Sequence, residues 1–149
     1  MFDTGYVIGV IAAAIAVIVP GIGSALSVSK AGQTVAGLTA EQPKSFFRAF
    51  TLSLLPATQG LYGFVVAIII SGQLAKDMSV ADGWALFFAA LPVAIVGLFS
   101  AIYQSNAARA GIQLLGKQPK SMGKGLMMAG IVETYALFAF VVSIFLVGA

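Results

Sequence analysis

Cysteine and histidine are both missing from this 149-residue sequence. Their absence excludes disulfides, thiol chemistry and ordinary zinc or haem sites. Charge is scarce too. Only 9% of residues are Asp, Glu, Lys or Arg, against about 25% in an ordinary soluble domain. With 60% hydrophobic residues, the chain reads as an integral membrane protein. It has no phosphate-binding loop, and Gly21-Ile22-Gly23 reads as helix packing rather than a nucleotide site. Nothing suggests chemistry on a substrate: Glu133 has no second carboxylate to pair with for acid–base work.

Four runs are uncharged or nearly so: Gly5–Ser29, Ala49–Ala75, Gly83–Ala108 and Gly125–Ala149. Each is long enough to cross a hydrocarbon core as a helix. Short connections between them leave no room for a soluble catalytic domain. The net charge of +3 is not a nucleic-acid signal, because topology places the basic residues. Lys30, Lys44 and Arg48 surround the first connection, and Arg109, Lys117, Lys120 and Lys124 the third. Lys76 alone lies in the second, beside Asp77 and Asp82. By the positive-inside rule the first and third connections are cytoplasmic and both termini face outward. The start, MFDTGYV, lacks the basic region of a cleaved signal peptide, so the first run is expected to remain as a helix.

The two halves match at an offset of 76 residues. Gln42-Pro43-Lys44-Ser45 aligns with Gln118-Pro119-Lys120-Ser121. Gly21, Ser24, Ala25 and Ser29 align with Gly97, Ser100, Ala101 and Ser105, and Thr58, Leu61 and Phe64 with Thr134, Leu137 and Phe140. The offset spans a helix, a turn and a helix, so the chain divides into two tandem hairpins, residues 1–76 and 77–149. They share one orientation, unlike the inverted repeats of many carriers. Pro43 and Pro119 stand where a proline can end one helix and open the next. The first helix of each hairpin is rich in Gly and Ala, which lets backbones approach closely in lipid; the second carries the bulk. A compact four-helix bundle with thin interior helices fits this bias. So does a ring with helices 1 and 3 lining the inside and helices 2 and 4 outside.

The fourth run is apolar except for Glu133. Its 25 residues extend about 37 Å as a helix, and an unpaired charge inside costs at least several kcal/mol. The rest of the chain reads as a housing for that carboxylate. At the matching place the first hairpin has Ala57, but around it stand Thr58, Gln59 and Tyr62 on one broad helix face. Pro56 removes a backbone donor and so provides a carbonyl oxygen at membrane depth. The third helix contributes Gln104. Counted from the cytoplasmic turns, Glu133, Gln104, Thr58 and Gln59 all lie about 21–24 Å deep. Polar residues can simply hold membrane helices together. A proton carrier needs only the carboxylate, whereas a hard cation needs several oxygens in place of its water shell. The excess of neutral oxygens favours a bound cation, Na⁺ in this reading.

These residues carry a resemblance. GIGSAL near Gly21, LLPATQGLYGF from Leu54 to Phe64 and VETYALFAFVVS from Val132 to Ser143 resemble the duplicated proteolipid (subunit K) of V-type and archaeal-type rotary ATPases. The similarity covers the whole chain and is closest to the Na⁺-pumping bacterial members. The resemblance implies an all-α membrane protein of four transmembrane helices, assembled from identical copies into a closed rotor ring in a prokaryotic plasma membrane. It implies Na⁺ ligands at the Leu55 backbone carbonyl, Thr58, Gln59, Gln104 and Glu133, with Tyr62 hydrogen-bonded to Glu133 to hold the site closed. A stator subunit and central-stalk subunits would be the partners, with ATP hydrolysed on other subunits. H⁺ is the alternative ion. Two other readings stay open: a small proton-coupled carrier for hydrophobic cations, and a structural or pore-forming proteolipid. No nucleic acid is implicated.

Overall fold

The structure, a computed structural model, describes residues 3–149. The first two residues, part of the stretch read for a signal peptide, lie outside the described residues. Among the described residues, five α-helices make four apolar spans long enough to cross a membrane. They are α1 (Thr4–Glu41), α2 (Phe46–Leu54), α3 (Thr58–Gly72), α4 (Val80–Lys117) and α5 (Met122–Val147). α2 and α3 form one span, joined by a 3₁₀ turn at Leu55–Ala57. The four predicted helices are therefore α1, α2–α3, α4 and α5.

The first and third helices run on to the turns at Pro43 and Pro119, as the sequence predicts, well past their apolar runs. α1 and α4 each run for 38 residues, about 57 Å, well beyond a hydrocarbon core of about 30 Å. The apolar runs stop at Ser29 and Ala108, yet the helices continue for roughly ten more residues. A separate apolar cluster supports the extension: Val35 of α1, Ala49 and Leu52 of α2, and Ile112 and Leu115 of α4, all buried. Polar residues there face out while this narrow apolar stripe faces in.

Local chemistry fixes the ends. α4 begins where the Ser79 hydroxyl accepts the Asp82 backbone N–H at 3.2 Å, and the Asp82 carboxylate in turn accepts from that hydroxyl at 2.7 Å. Both N-terminal donors and the helix dipole favour that acid. α1 ends at Glu41, and Pro43 opens a 3₁₀ turn that leads into α2, as a residue with fixed φ and no N–H can. At Pro56 the α-helical ladder loses a donor. On either side of it, Ser53 Oγ donates to the Phe50 carbonyl at 2.7 Å and Thr58 Oγ1 to the Leu55 carbonyl at 3.0 Å.

α1 and α4 run side by side and parallel, from Gly5 against Gly83 at one end to Leu38 against Gly116 at the other. The α2–α3 span packs on α1 and α5 packs on α4, so each hairpin is a thin helix backed by a bulkier one. Buried alanines fill the interior, among them Ala12, Ala16, Ala31, Ala90, Ala101 and Ala108. Where α5 crosses α4, Gly111 and Gly125 meet so closely that a Cβ on either would stand 2.8–3.0 Å from the other's Cα. Without a hydrophobic force between helices in lipid, this backbone-to-backbone packing is the main source of cohesion.

Candidate ion-binding site

The residues read as level are level. Gln59 of α3 and Gln104 of α4, both fully buried, are joined by a 2.6 Å hydrogen bond from Gln59 Nε2 to Gln104 Oε1. Gln104 Nε2 then donates to Glu133 Oε2 of α5 at 3.3 Å and to the Ala129 carbonyl at 3.1 Å. From the other side the Tyr62 hydroxyl donates to Glu133 Oε1 at 2.6 Å. Each carboxylate oxygen thus receives one donor, and each donor comes from a different span. Charge-directed hydrogen bonds of this kind are the stronger sort.

Tyr62 is aimed by Phe140. The two rings stack at 5.1 Å between centroids, so α5 supplies both the carboxylate and the surface that orients its donor. Thr58 and Leu55 meet each other through the hydroxyl-to-carbonyl bond described above, and Thr58 stands beside the Tyr62 hydroxyl. Glu133, Gln104, Gln59 and Tyr62 are therefore brought into one connected network. Thr58 and the Leu55 carbonyl form its edge, at the 3₁₀ turn.

One atom in the network lacks a partner. Gln59 Oε1 is buried and accepts no hydrogen bond, although an unsatisfied buried acceptor costs about 1–3 kcal/mol. It belongs to the amide whose other end is committed to Gln104 and, at 3.3 Å, to Ser100 Oγ. A carboxylate, two amide oxygens, a hydroxyl and a carbonyl are all oxygen donors of the kind a hard cation takes in place of water.

Ser100 is a member of the network that the sequence pattern does not single out. It accepts from Gln59 and donates to the Val132 carbonyl at 3.1 Å, tying α3, α4 and α5 one residue before Glu133. A signal is present, since Ser100 is the repeat partner of Ser24. That serine also bridges helices, accepting the Gly60 N–H at 2.9 Å.

Four apolar spans in two parallel hairpins, with one half-buried carboxylate held between an amide and a tyrosine hydroxyl from two other spans, define a membrane proteolipid. The chain belongs to the ATP synthase C-subunit family, which matches it twice, over residues 11–70 and 87–146. It is 50% identical over 143 residues to the V-type sodium ATPase subunit K of Enterococcus hirae, covering 96% of this chain and 92% of that protein. It is 37% identical over 140 residues to the A-type ATP synthase subunit K of Methanocaldococcus jannaschii, covering 94% of this chain and 61% of that protein. The 16 kDa proteolipid of the human V-type proton ATPase is 23% identical over 137 residues, covering 92% of this chain and 88% of that protein.

Proposed function

We propose that this chain is the ion-carrying rotor-ring subunit of a V-type ATPase, moving one Na⁺ per chain across the membrane on Glu133. The observation that carries the sodium reading is the buried, unpartnered Gln59 Oε1 beside the Gln104–Glu133 pair. A proton would need the carboxylate alone and would leave that oxygen unsatisfied. The half-identity to a V-type sodium ATPase subunit K supports the same choice.

In this reading Na⁺ takes the Glu133 carboxylate, the side-chain oxygens of Thr58, Gln59 and Gln104, and the Leu55 carbonyl. Their oxygens replace its water shell. The bound ion neutralises Glu133, so the site can pass through lipid without the cost of a bare charge. Tyr62 holds the carboxylate in place while the site is closed. Identical copies form the ring, with α1 and α4 inside and α2–α3 and α5 outside, and the repeat boundary lies between residues 76 and 77. On leaving the lipid, the site meets a stator subunit, where a basic residue pairs with the emptied carboxylate. Central-stalk subunits grip the cytoplasmic turns, and ATP is hydrolysed on other subunits. The membrane is the prokaryotic plasma membrane, with the turns at Pro43 and Pro119 inside and both termini outside. A carrier for hydrophobic cations would want a cavity walled by aromatics around Glu133, whereas its direct partners here are the Gln104 amide and the Tyr62 hydroxyl.

The test is labelling of Glu133 by a hydrophobic carbodiimide, which attacks the protonated carboxyl. At fixed pH, added Na⁺ should slow labelling of the assembled protein, and equal K⁺ should not. Labelling that is indifferent to Na⁺ would reassign the ion to H⁺.

A further inference from the structure

We propose that Ser100 is a positioning residue of the ion site: it fixes the direction of the Gln59 amide oxygen and so sets how tightly and how selectively Na⁺ is held. This rests on the sodium reading above and adds to it a residue that acts through the ligands without being one.

The Gln59 amide carries two N–H bonds and one oxygen in a single plane. Its Nε2 donates to Gln104 Oε1 at 2.6 Å and to Ser100 Oγ at 3.3 Å. With the first bond alone the plane could turn about it. Two acceptors on the same helix fix the plane, and Oε1 is then left with one direction. That oxygen is buried and has no hydrogen-bond partner, so no bond of its own holds it in place. A ligand fixed before the ion arrives loses no freedom on binding. One left to swing would lose it, and would also adapt to a larger ion.

Ser100 can serve Gln59 only as an acceptor. A serine hydroxyl has one proton and two lone pairs, and here the proton goes to the Val132 carbonyl at 3.1 Å. The hydroxyl therefore cannot turn its proton to Gln59 Oε1 and satisfy that oxygen itself. The same bond anchors α5 one residue before Glu133. A single side chain of α4 thus sets the amide on α3 and the backbone that carries the carboxylate. From the far side Ser24 Oγ of α1 accepts the Gly60 N–H at 2.9 Å, which holds the backbone next to Gln59. Ser105, also buried on α4, provides the contrast. Its hydroxyl donates to the Ser27 carbonyl at 2.8 Å, joining α4 to α1 and reaching none of the proposed ligands.

Ser100→Thr and Ser100→Val test this, because the two side chains share a shape and differ in the hydroxyl. Na⁺ protection of Glu133 from a hydrophobic carbodiimide is measured on the assembled protein. Ser100→Val should need about tenfold more Na⁺ than Ser100→Thr, as expected for the loss of two hydrogen bonds. Ser100→Ala should fall below the parent by the same factor, and in both weakened variants the preference for Na⁺ over K⁺ should narrow. Ser105→Ala should bind Na⁺ like the parent. In Na⁺-free buffer the pH midpoint of labelling should not move in any variant, since Gln104 and Tyr62 still hold the carboxylate. Equal Na⁺ affinity in the Thr and Val variants, or a loss in Ser105→Ala as large as in Ser100→Ala, would reduce Ser100 to helix packing and overturn the proposal. A shifted pH midpoint in Ser100→Ala would also overturn it, by making the carboxylate the group that Ser100 acts on. A parent whose labelling ignores Na⁺ would remove the sodium reading itself.

Discussion

The two hairpins share a helix–turn–helix plan, interrupted in hairpin 1 by the 3₁₀ turn at Leu55–Ala57, and differ in what they put at mid-membrane. Hairpin 2 has Glu133 where hairpin 1 has Ala57, and Gln104 where hairpin 1 has Val28. On the facing spans the contrast is reversed: hairpin 1 has Gln59 and Tyr62 where hairpin 2 has Tyr135 and Phe138. The polar residues are split between the repeats so that they meet only once, at the seam inside the chain. Gln59 and Gln104 are fully buried there, while Tyr135 and Phe138 are 63% and 66% exposed. Equal folds thus need not mean equal sites, because packing in lipid depends on small residues and tolerates loss of the polar set.

Exchanging residues between the repeats tests this division. The largest effect is expected from Glu133→Gln, which removes the charge as Ala57 does but keeps size and one acceptor. Membrane insertion should persist, since a neutral side chain inserts more readily, and ATP-driven ²²Na⁺ uptake by the reconstituted complex should vanish. Glu133→Asp should retain part of it. Undiminished transport in Glu133→Gln would make the carboxylate structural.

Importing hairpin 1's residue with Gln104→Val should come next. It deletes the donor to Glu133 and an oxygen of the proposed ligand set, yet strands no new charge. Hydrogen bonds to charged groups contribute about 1.5–3 kcal/mol, so Na⁺ affinity measured by carbodiimide protection should fall roughly tenfold or more. Assembly should survive, and Gln59→Ala should act in the same direction. Parent-like affinity in both variants would remove the amides from the site.

The smallest effect is expected from importing hairpin 2's residue with Tyr62→Phe. The stack on Phe140 stays and only the 2.6 Å bond to Glu133 is lost. Na⁺ exchange should quicken by a few-fold with little change in transport at saturating Na⁺; stopped-flow release of Na⁺ would measure it. A loss as large as that of Glu133→Gln would give Tyr62 a role beyond holding the carboxylate.

Much of this is legible in the sequence because lipid imposes strong rules. Spans follow from length and apolarity, the duplication from repeated residues such as Gln42–Ser45 and Gln118–Ser121, and the depth of Glu133 from counting along helices. The pairing of Tyr62 with Glu133 follows from the resemblance to the rotary-ATPase proteolipid and is observed at 2.6 Å. The helical extensions past Ser29 and Ala108 are marked only by Pro43 and Pro119, since apolarity shows where the bilayer ends and not where the helix does. The part played by Ser100 escapes it for another reason. In a helix that is apolar all round, no polar face distinguishes the side turned to lipid from the side turned to a neighbour. Which serines face inward is decided by packing alone.

The asymmetry at Ala57 and Glu133 also sets a gear ratio. Under the proposed function, the ions delivered in one revolution equal the number of chains, although the circumference is built from twice as many hairpins. Energy supplied per revolution is fixed by the motor that turns the ring, so it is divided among fewer ions. Each ion can then be driven against a steeper electrochemical gradient than if Ala57 were also a carboxylate with partners of its own. The chain is geared for force, and delivers fewer ions per turn.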